Sequence, residues 1–427
     1  MSFWQNIPSY FSSEYYTFWV VSIGAGIICF GAGIVGTFSY LRKRALLGDV
    51  ISHAVLPGVA ISFMLTGVKN PLYFLIGATT SGILSIWLVD YIHSKSKLKP
   101  DTILALTLSV FFGIGIVLLT KIQHSGNAAQ SGLDSFLFGK AASMTLQDVI
   151  TFSVIALINT LCIAVFLRAF SMISFDEEYA KSLGFNIKII KSFLALLTVI
   201  TVAIGIQSVG IVLMAALLIT PASGARFLTN SIKKMLIYAG IFALLSGFTG
   251  VIISSSGTAM PTGPWIVVVL SSFTIFAIFF GKEKGVIARM RIRRSNNLKI
   301  NNENTLKKLY KLSEERKESI HVDQLSDIQS SAQLKTTLKR LEKKQILSQV
   351  KGTIILNEKG KIAAREVIRK HRLWEIYLSK YFQLDKDHLH DDAEGIEHVI
   401  TPEIEKHLIT LLDRPEKDPH QSEIPYS

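Results

Sequence analysis

The chain has 427 residues, a formal net charge of +13 and 49% hydrophobic residues. A mean hydropathy of +0.39 alongside 18% charged residues excludes both an ordinary soluble protein and a chain that lies wholly in the membrane. Residues 1–281 carry 16 basic and 9 acidic residues, whereas residues 282–427 carry 29 and 23. The two cysteines, Cys29 and Cys162, lie in apolar segments, which excludes a disulfide framework and a cysteine-based zinc site.

The first 281 residues contain apolar runs long enough to cross a bilayer. We predict a mostly α protein that begins with a polytopic membrane domain at 1–281. It has about nine spans, or eight if the chain around Gly205–Gly210 is one broken re-entrant segment. The predicted spans lie near 18–40, 46–66, 71–92, 102–120, 146–167, 189–205, 207–226, 234–253 and 263–281. Basic residues concentrate in alternate loops, which places the N-terminus outside and the C-terminal tail in the cytoplasm.

Two ionisable side chains open the second predicted span. Asp49 and His53 are four residues apart and therefore share a helix face. Ionisable groups in a membrane are costly and so mark candidate functional positions; this pair offers two ligands for a divalent cation, and a second subunit would offer two more. The alternative is a hydrogen bond that holds helices together. Pro57 frees a backbone carbonyl, which suits a pathway helix as well as a kink.

The tail begins with a basic linker at 282–301 and continues as a small α/β domain at 302–365. We predict helices at 303–316, 321–328 and 331–344, followed by a hairpin with strands at 346–350 and 353–356. This is the element order of a winged helix. The second helix of its helix–turn–helix would face DNA with Gln333, Lys335, Thr336, Lys339 and Arg340.

Histidine and glutamate cluster in the last predicted region, 366–427. Metal-ligand side chains three or four residues apart can share a helix face. The candidates are His371, Glu375, His390, Glu394, Glu397 and His398. The alternative interpretation is a solvated, charged helix face.

Four stretches of the first domain resemble the permease subunits of the manganese/zinc/iron ABC-transporter family, over about residues 10–280. They are Leu47–Gly58, Phe136–Gly139, Phe175–Gly184 and Gly210–Ala222. The resemblance implies a permease in the bacterial cytoplasmic membrane, paired with an identical or different second permease. It also implies a cytoplasmic ATP-binding-cassette subunit and an extracytoplasmic metal-binding protein as partners.

The same resemblance implies roles for particular residues. Asp49 and His53 would line the metal route. The stretch that includes Asp176, Ala180 and Gly184 would be the coupling helix that docks on the ATPase. The chain contains no GxxxxGK[ST] phosphate loop, so we expect a non-enzymatic subunit whose partner hydrolyses ATP.

The tail resembles the diphtheria-toxin-repressor family of metal-dependent regulators over about residues 302–425. The matching stretches are Ser330–Leu341, Leu356–Gly360, His371–His398 and Asp418–Pro425. The resemblance implies that the six histidines and glutamates named above bind a divalent metal. A donor set of nitrogen and oxygen alone favours manganese or iron over zinc. In two positions this chain departs from the manganese-type pattern, with Asn304 and Lys307 where the family has ligands.

These features lead to three functional hypotheses. The first is a metal-import permease whose cytoplasmic tail senses metal and regulates transport. The alternative is a metal-dependent transcriptional repressor, tethered to the membrane or released from it. A proton-coupled exchanger ranks last, because it needs more buried acids than Asp49, Asp90 and Asp101.

Overall fold

The structure is a computed structural model that describes residues 16–426 except residues 45, 69, 125–143, 258–259, 316–319, 326, 328, 351 and 383–396. The chain divides into two compact units, residues 1–288 and 289–427. The first unit contains the helices α1 (Tyr16–Leu41), α2 (Leu47–Thr66), α3 (Pro71–Lys95), α4 (Pro100–Gln123), α5 (Leu146–Val165), α6 (Leu167–Phe175), α7 (Glu177–Ser182), α8 (Ile187–Val209), α9 (Ile211–Leu228), α10 (Ile232–Ser255) and α11 (Thr262–Phe280).

Eight of the described helices are long and apolar enough to cross a membrane, and α9 is a shorter apolar helix. The chain around Gly205–Gly210 forms two helices, because Gly210 interrupts the backbone between α8 and α9 with a φ of +87°. Glycine adopts positive φ without the steric penalty of a Cβ atom. The predicted fold class, an α-helical polytopic domain of about nine apolar helices, is confirmed.

Helix α1 lies at the centre of the first unit, where it packs against α5, α9 and α10. Its glycines permit this packing: a Cβ atom added at Gly36 would lie 2.0 Å from the carbonyl oxygen of Leu218 in α9. Helix α2 packs against α3 and α4. Gly58 of α2 and Gly77 of α3 touch through their backbones, so that a Cβ atom at Gly58 would again lie 2.0 Å from a carbonyl oxygen. Small residues thus bring helices together where apolar burial alone cannot drive association.

The outer surface of the first unit is apolar. Leu65, Val117 and Leu157 have exposed fractions of 81%, 68% and 70%. Such a surface would be unfavourable in water but is what the hydrocarbon core of a bilayer requires.

The second unit holds most of α12 (Val286–Glu315), followed by β1 (Ile320–His321), α13 (Ser331–Lys343), β2 (Leu347–Val350), β3 (Thr353–Leu356), α14 (Glu358–Phe382) and α15 (Pro402–Leu411). The three strands form an antiparallel sheet in the order β1-β3-β2. Its core includes Leu309 of α12, Leu334, Leu338 and Leu341 of α13, and Leu347 and Ile354 of the sheet. The apolar residues of α13 recur at helical spacing, which buries one face and leaves the other polar.

Two predicted elements of the tail differ in the structure. Within the segment predicted as a helix at 321–328, His321 belongs to β1 and Val322–Leu325 form a 3-10 turn, while residues 326 and 328 lie outside the described residues. Ile320 and His321 pair with Ile354 and Thr353 at the edge of the sheet, and this tertiary pairing overrides a short helical pattern. The stretch predicted as a basic linker at 282–301 is helical from Val286 onward, as part of α12.

Candidate functional site

The Asp49–His53 pair lies near the start of α2. His53 Nε2 is 3.4 Å from Asp49 Oδ1, and the side chains are 19% and 38% exposed respectively. The spacing of four residues places both groups on one helix face, as the sequence predicts. Asp49 also lies in the first turn of α2, where the helix dipole stabilises a carboxylate.

The second ring nitrogen of His53 is buried. This Nδ1 makes no hydrogen bond to any residue in the described part of the chain. The ring packs edge-on against Phe112 of α4, with centroids 4.8 Å apart. A buried polar atom without a partner is rare and calls for a ligand, an ion or water. This nitrogen therefore favours a functional role over the helix-stapling alternative.

Pro57 leaves one backbone oxygen of α2 without its helical donor. Proline has no N–H, so the carbonyl of His53, four residues earlier, loses its helical donor. Helix α2 is otherwise held firmly: Ser81 of α3 donates a hydrogen bond to the carbonyl of Ala54, with an O···O distance of 2.6 Å. A carboxylate, an imidazole and a freed carbonyl are thus presented by one rigid helix.

The predicted coupling stretch forms the short helix α7. Asp176 Oδ1 caps it by accepting the N–H of Tyr179 at 2.9 Å. Ala180 is fully buried, and Gly184 ends the segment with a φ of +84°. Lys191 of α8 donates to Glu177 at 2.5 Å. The three predicted residues therefore begin α7, pack it against the first unit and end the segment.

The side chains of this segment that point outward are different ones. Tyr179 and Leu183 are 55% and 50% exposed. Sequence reasoning missed them because only the packing of Ala180 shows which side of α7 faces outward. An exposed aromatic and an exposed aliphatic group on a fixed helix are typical of a docking surface.

The predicted DNA-facing residues lie on α13 as a polar surface. Gln333, Lys335, Thr336 and Lys339 are exposed, while the half-buried Arg340 donates to Asn302 of α12 at 3.4 Å. A groove of about 640 Å³ runs between α12 and α13, and its lining includes Arg293, Arg294, Asn301, Gln333, Thr336 and Arg340. The structure thus adds two arginines of α12 that the sequence prediction did not include.

His371 and Glu375 of α14 face the interior of the second unit. His371 Nε2 lies 2.9 Å from Glu375 Oε1, and both side chains are 2% exposed. The Nζ of Lys307, on α12, lies 3.3 Å from His371 Nδ1, and Lys307 is itself 5% exposed. The pair predicted as metal ligands is therefore in contact with a buried amine.

His398 lies in the 3-10 turn Glu397–Val399 and contacts α12 through a different residue. Its Nδ1 is 2.6 Å from Glu303 Oε2. A carboxylate oxygen accepts, so His398 donates from Nδ1 to Glu303. Metal-binding histidines usually donate their other N–H to a carboxylate in this way. Lys299 also donates to the backbone carbonyl of His398 at 2.7 Å.

The structure does not bring all six predicted tail ligands together among the residues it describes. His390 and Glu394 lie outside the described residues, as does the side chain of Glu397. Among the described residues, no group of three or more histidine, cysteine, aspartate or glutamate residues could hold a metal ion. Glu303 was missed by the sequence analysis, which considered the neighbouring Asn304 and the following Lys307.

A buried arginine next to His371 was also missed. Arg372 is 5% exposed, and its guanidinium lies 3.0 Å from Glu314 of α12 and 3.4 Å from Asp418. Burial, followed by the charge of Glu314, raises the pKa of the Tyr310 phenol beside this cluster. Arg372 thus ties the end of the chain to α12 and α14.

Comparison with known proteins identifies both parts of the chain. Residues 14–281 match the profile of the ABC 3 transport family. The chain belongs to the ABC 3 transport family. Residues 357–426 of this ABC 3 permease match the iron dependent repressor, metal binding and dimerisation domain. Both resemblances drawn from the sequence are confirmed, and the chain is a multi-pass membrane protein.

Curated relatives of this ABC 3 permease belong to metal transport systems. It is 36% identical over 389 residues to the manganese transport system membrane protein MntC of Bacillus subtilis, with 88% of each chain covered. It is 35% identical over 279 residues to the zinc transport system membrane protein TroC of Treponema pallidum, covering 65% of this chain and 94% of TroC. The solved structure of PsaBC from Streptococcus pneumoniae in complex with Fab matches 66% of this chain and 96% of that chain, with 31% identity and a TM-score of 0.57.

Proposed function

We propose that this ABC 3 permease imports a divalent transition metal, manganese first, driven by ATP that a partner subunit hydrolyses. The observation that carries the proposal is the Asp49–His53 pair, with its buried, unpartnered His53 Nδ1. The similarity to MntC over both parts of the chain favours manganese over zinc as the substrate. Iron remains the second candidate, because the same oxygen and nitrogen donors suit both metals.

The α2 site would act on the substrate ion in transit. Asp49 supplies a charged oxygen, His53 supplies an imidazole nitrogen, and the carbonyl freed by Pro57 supplies a neutral oxygen. A second permease subunit around a twofold axis would double this set. Mixed oxygen and nitrogen donors bind manganese with lower affinity than thiolates bind zinc. Lower affinity suits an ion that must be released.

Three partners complete the proposed importer. A cytoplasmic ATP-binding-cassette subunit would dock on the α7 segment through Tyr179 and Leu183. An extracytoplasmic protein would deliver the metal, and a second permease subunit would form the other half of the pathway. Basic residues at Arg42–Arg44 and 95–99 favour a cytoplasmic location for the loops that carry them, and hence for the tail.

We further propose that the tail binds divalent metal with the help of His398, which Glu303 orients, and that this binding regulates transport. A manganese or ferrous ion there would supply a charge that links the 3-10 turn to α12. Deleting residues 300–427 should leave uptake active but remove its dependence on cytoplasmic metal. Uptake whose dependence on metal survives the deletion would contradict this regulatory role.

A second candidate function for the tail is metal-dependent binding of DNA. The exposed Lys335 and Lys339 of α13, together with the arginines of the α12–α13 groove, favour it. A gel-shift experiment with the full-length protein in detergent and the promoter of its own operon would test it. No shift with or without Mn²⁺ would leave transport regulation as the role of the tail.

The transport proposal is tested by reconstitution with the ATPase partner. Vesicles containing both subunits should accumulate Mn²⁺ when ATP and the metal-delivering protein are supplied. A tenfold excess of Fe²⁺ should compete more strongly than the same excess of Zn²⁺. Accumulation of Zn²⁺ with no Mn²⁺ uptake would reject manganese as the substrate.

A further inference from the structure

Lys307 occupies an unusual position for a lysine. It lies on α12 with only 5% of its surface exposed, and its Nζ points at the buried His371–Glu375 pair of α14. Buried lysines are rare unless a partner compensates their charge. Its partner here includes an imidazole that the sequence pattern assigns to metal binding.

The hydrogen bonds fix the protons of the His371 ring. A lysine ammonium only donates, so His371 Nδ1 accepts from Lys307 Nζ at 3.3 Å. A carboxylate oxygen accepts, so His371 Nε2 donates to Glu375 Oε1 at 2.9 Å. The lone pair of Nδ1 and the hydrogen of Nε2 are both engaged, and His371 has no nitrogen left for a metal.

The His398 ring contrasts with this arrangement. It donates from Nδ1 to Glu303, which is the arrangement by which a carboxylate orients a metal-binding histidine. Glu303 and Lys307 are four residues apart on α12 and so share one helix face. One face of α12 thus presents an anion to one histidine and a cation to the other.

We infer that the ammonium of Lys307 stands in for a metal ion at the His371–Glu375 pair, so that a fixed charge of the chain itself joins α12 to α14 there. His371 and Glu375 therefore do not fit a divalent metal. The Lys307 ammonium, 3.3 Å from His371 Nδ1, would repel the ion, and its hydrogen bond occupies the lone pair that a metal would need. This part of the tail is assembled whether or not metal is present. Any response of the tail to metal is left to the region of His398.

The inference is tested by counting bound Mn²⁺ on the purified full-length chain in detergent, by equilibrium dialysis and elemental analysis. The wild type and His371→Gln should bind the same number of ions. Lys307→Glu, which replaces the cation with a carboxylate, should bind one more ion per chain. Lys308→Glu is the matched control: the neighbouring lysine pairs with Asp327 at the surface, and the same charge reversal there should add none.

Two outcomes would overturn the inference. If His371→Gln binds one ion fewer than the wild type, His371 is a metal ligand despite Lys307. If Lys307→Glu elutes as a folded chain but gains no ion, the ammonium does not occupy a cation position. Should Lys307→Glu fail to fold, the comparison of His371→Gln with the wild type still decides. Each result is the difference between the number of ions bound by a variant and by the wild type, so ions in the transport pathway cancel. The result therefore does not depend on whether the chain transports manganese.

Discussion

Glu303 on α12 accepts a hydrogen bond from His398 Nδ1 across 2.6 Å, although the two residues are 95 positions apart in the chain. The contact assigns Glu303, and not the adjacent Asn304, as the residue of α12 that meets the C-terminal ligand cluster. In the same tail, Lys307 of α12 faces His371, so one helix presents a carboxylate to one histidine and an amine to the other.

Substituting Glu303 should therefore weaken metal binding by the tail. Glu303→Gln is expected to lower the Mn²⁺ affinity of the full-length chain about 10- to 100-fold, as loss of a carboxylate that orients a histidine ligand does. Isothermal titration would measure it. Glu358→Gln, at an exposed carboxylate paired with Lys361, is the control and should change nothing. An unchanged affinity in Glu303→Gln would remove His398 from the metal site.

The transport pathway should fail when the α2 pair is altered. Asp49→Asn and His53→Ala are each expected to reduce ATP-dependent Mn²⁺ uptake by at least about tenfold, because each removes a donor from an ion that has lost its water. Vesicle uptake corrected for protein content is the readout. Asp90→Asn provides a control, since Asp90 pairs with Arg44 at a largely exposed position. Normal uptake by both pathway variants would restore the helix-stapling interpretation.

The close approach of α2 and α3 should make Gly58 intolerant of any side chain. Gly58→Ala places a Cβ atom 2.0 Å from the carbonyl oxygen of Gly77, so the helices must separate. We expect a loss of about 1–3 kcal/mol in the free energy of unfolding, seen as a lower melting temperature in detergent. Gly113→Ala adds the same atom where nothing lies within 4 Å and should be neutral. Equal melting temperatures would contradict the packing.

The coupling role proposed for α7 should depend on the outward side chains of this segment. Tyr179→Ala is expected to lower the metal-stimulated ATPase activity of the assembled complex several-fold while leaving the isolated permease stable, because Tyr179 is 55% exposed. Co-purification of the ATPase subunit would show whether docking itself is lost. Tyr16→Ala removes an aromatic of similar exposure, 59%, at the start of α1 and should preserve docking. Intact docking and activity in Tyr179→Ala would exclude this surface.

Arg372 should contribute strongly to the stability of the second unit. Arg372→Ala leaves the buried Asp418 without its cation and removes the link to Glu314. Breaking a buried ion pair from one side costs about 3–5 kcal/mol. Hydrogen exchange of α15 in the full-length chain would report the loss as faster exchange. Lys359→Ala, at an exposed lysine of the same helix, should leave exchange unchanged. Exchange as slow as in the wild type would show that Arg372 is not a structural anchor.

Local patterns sufficed for several features. The apolar runs predicted the membrane helices because a span needs only length and hydropathy. The four-residue spacing of Asp49 and His53 predicted that they share a helix face, because helix geometry alone fixes that relationship. The α-helix predicted at 321–328 was wrong at its start, where His321 pairs with β3 and Val322–Leu325 form only a 3-10 turn, because a short helical pattern is weak without tertiary support.

By itself, the sequence determined that this chain joins an apolar helical domain to a charged α/β tail, and it named candidate metal ligands in each. Only the tertiary structure decided which side chains those candidates face. Helix periodicity relates residues within a turn or two, whereas Glu303, Lys307, His371 and His398 meet across long stretches of chain. The state of each imidazole depends on whether a carboxylate or an ammonium faces it, and that is fixed only when α12 packs against the rest of its unit.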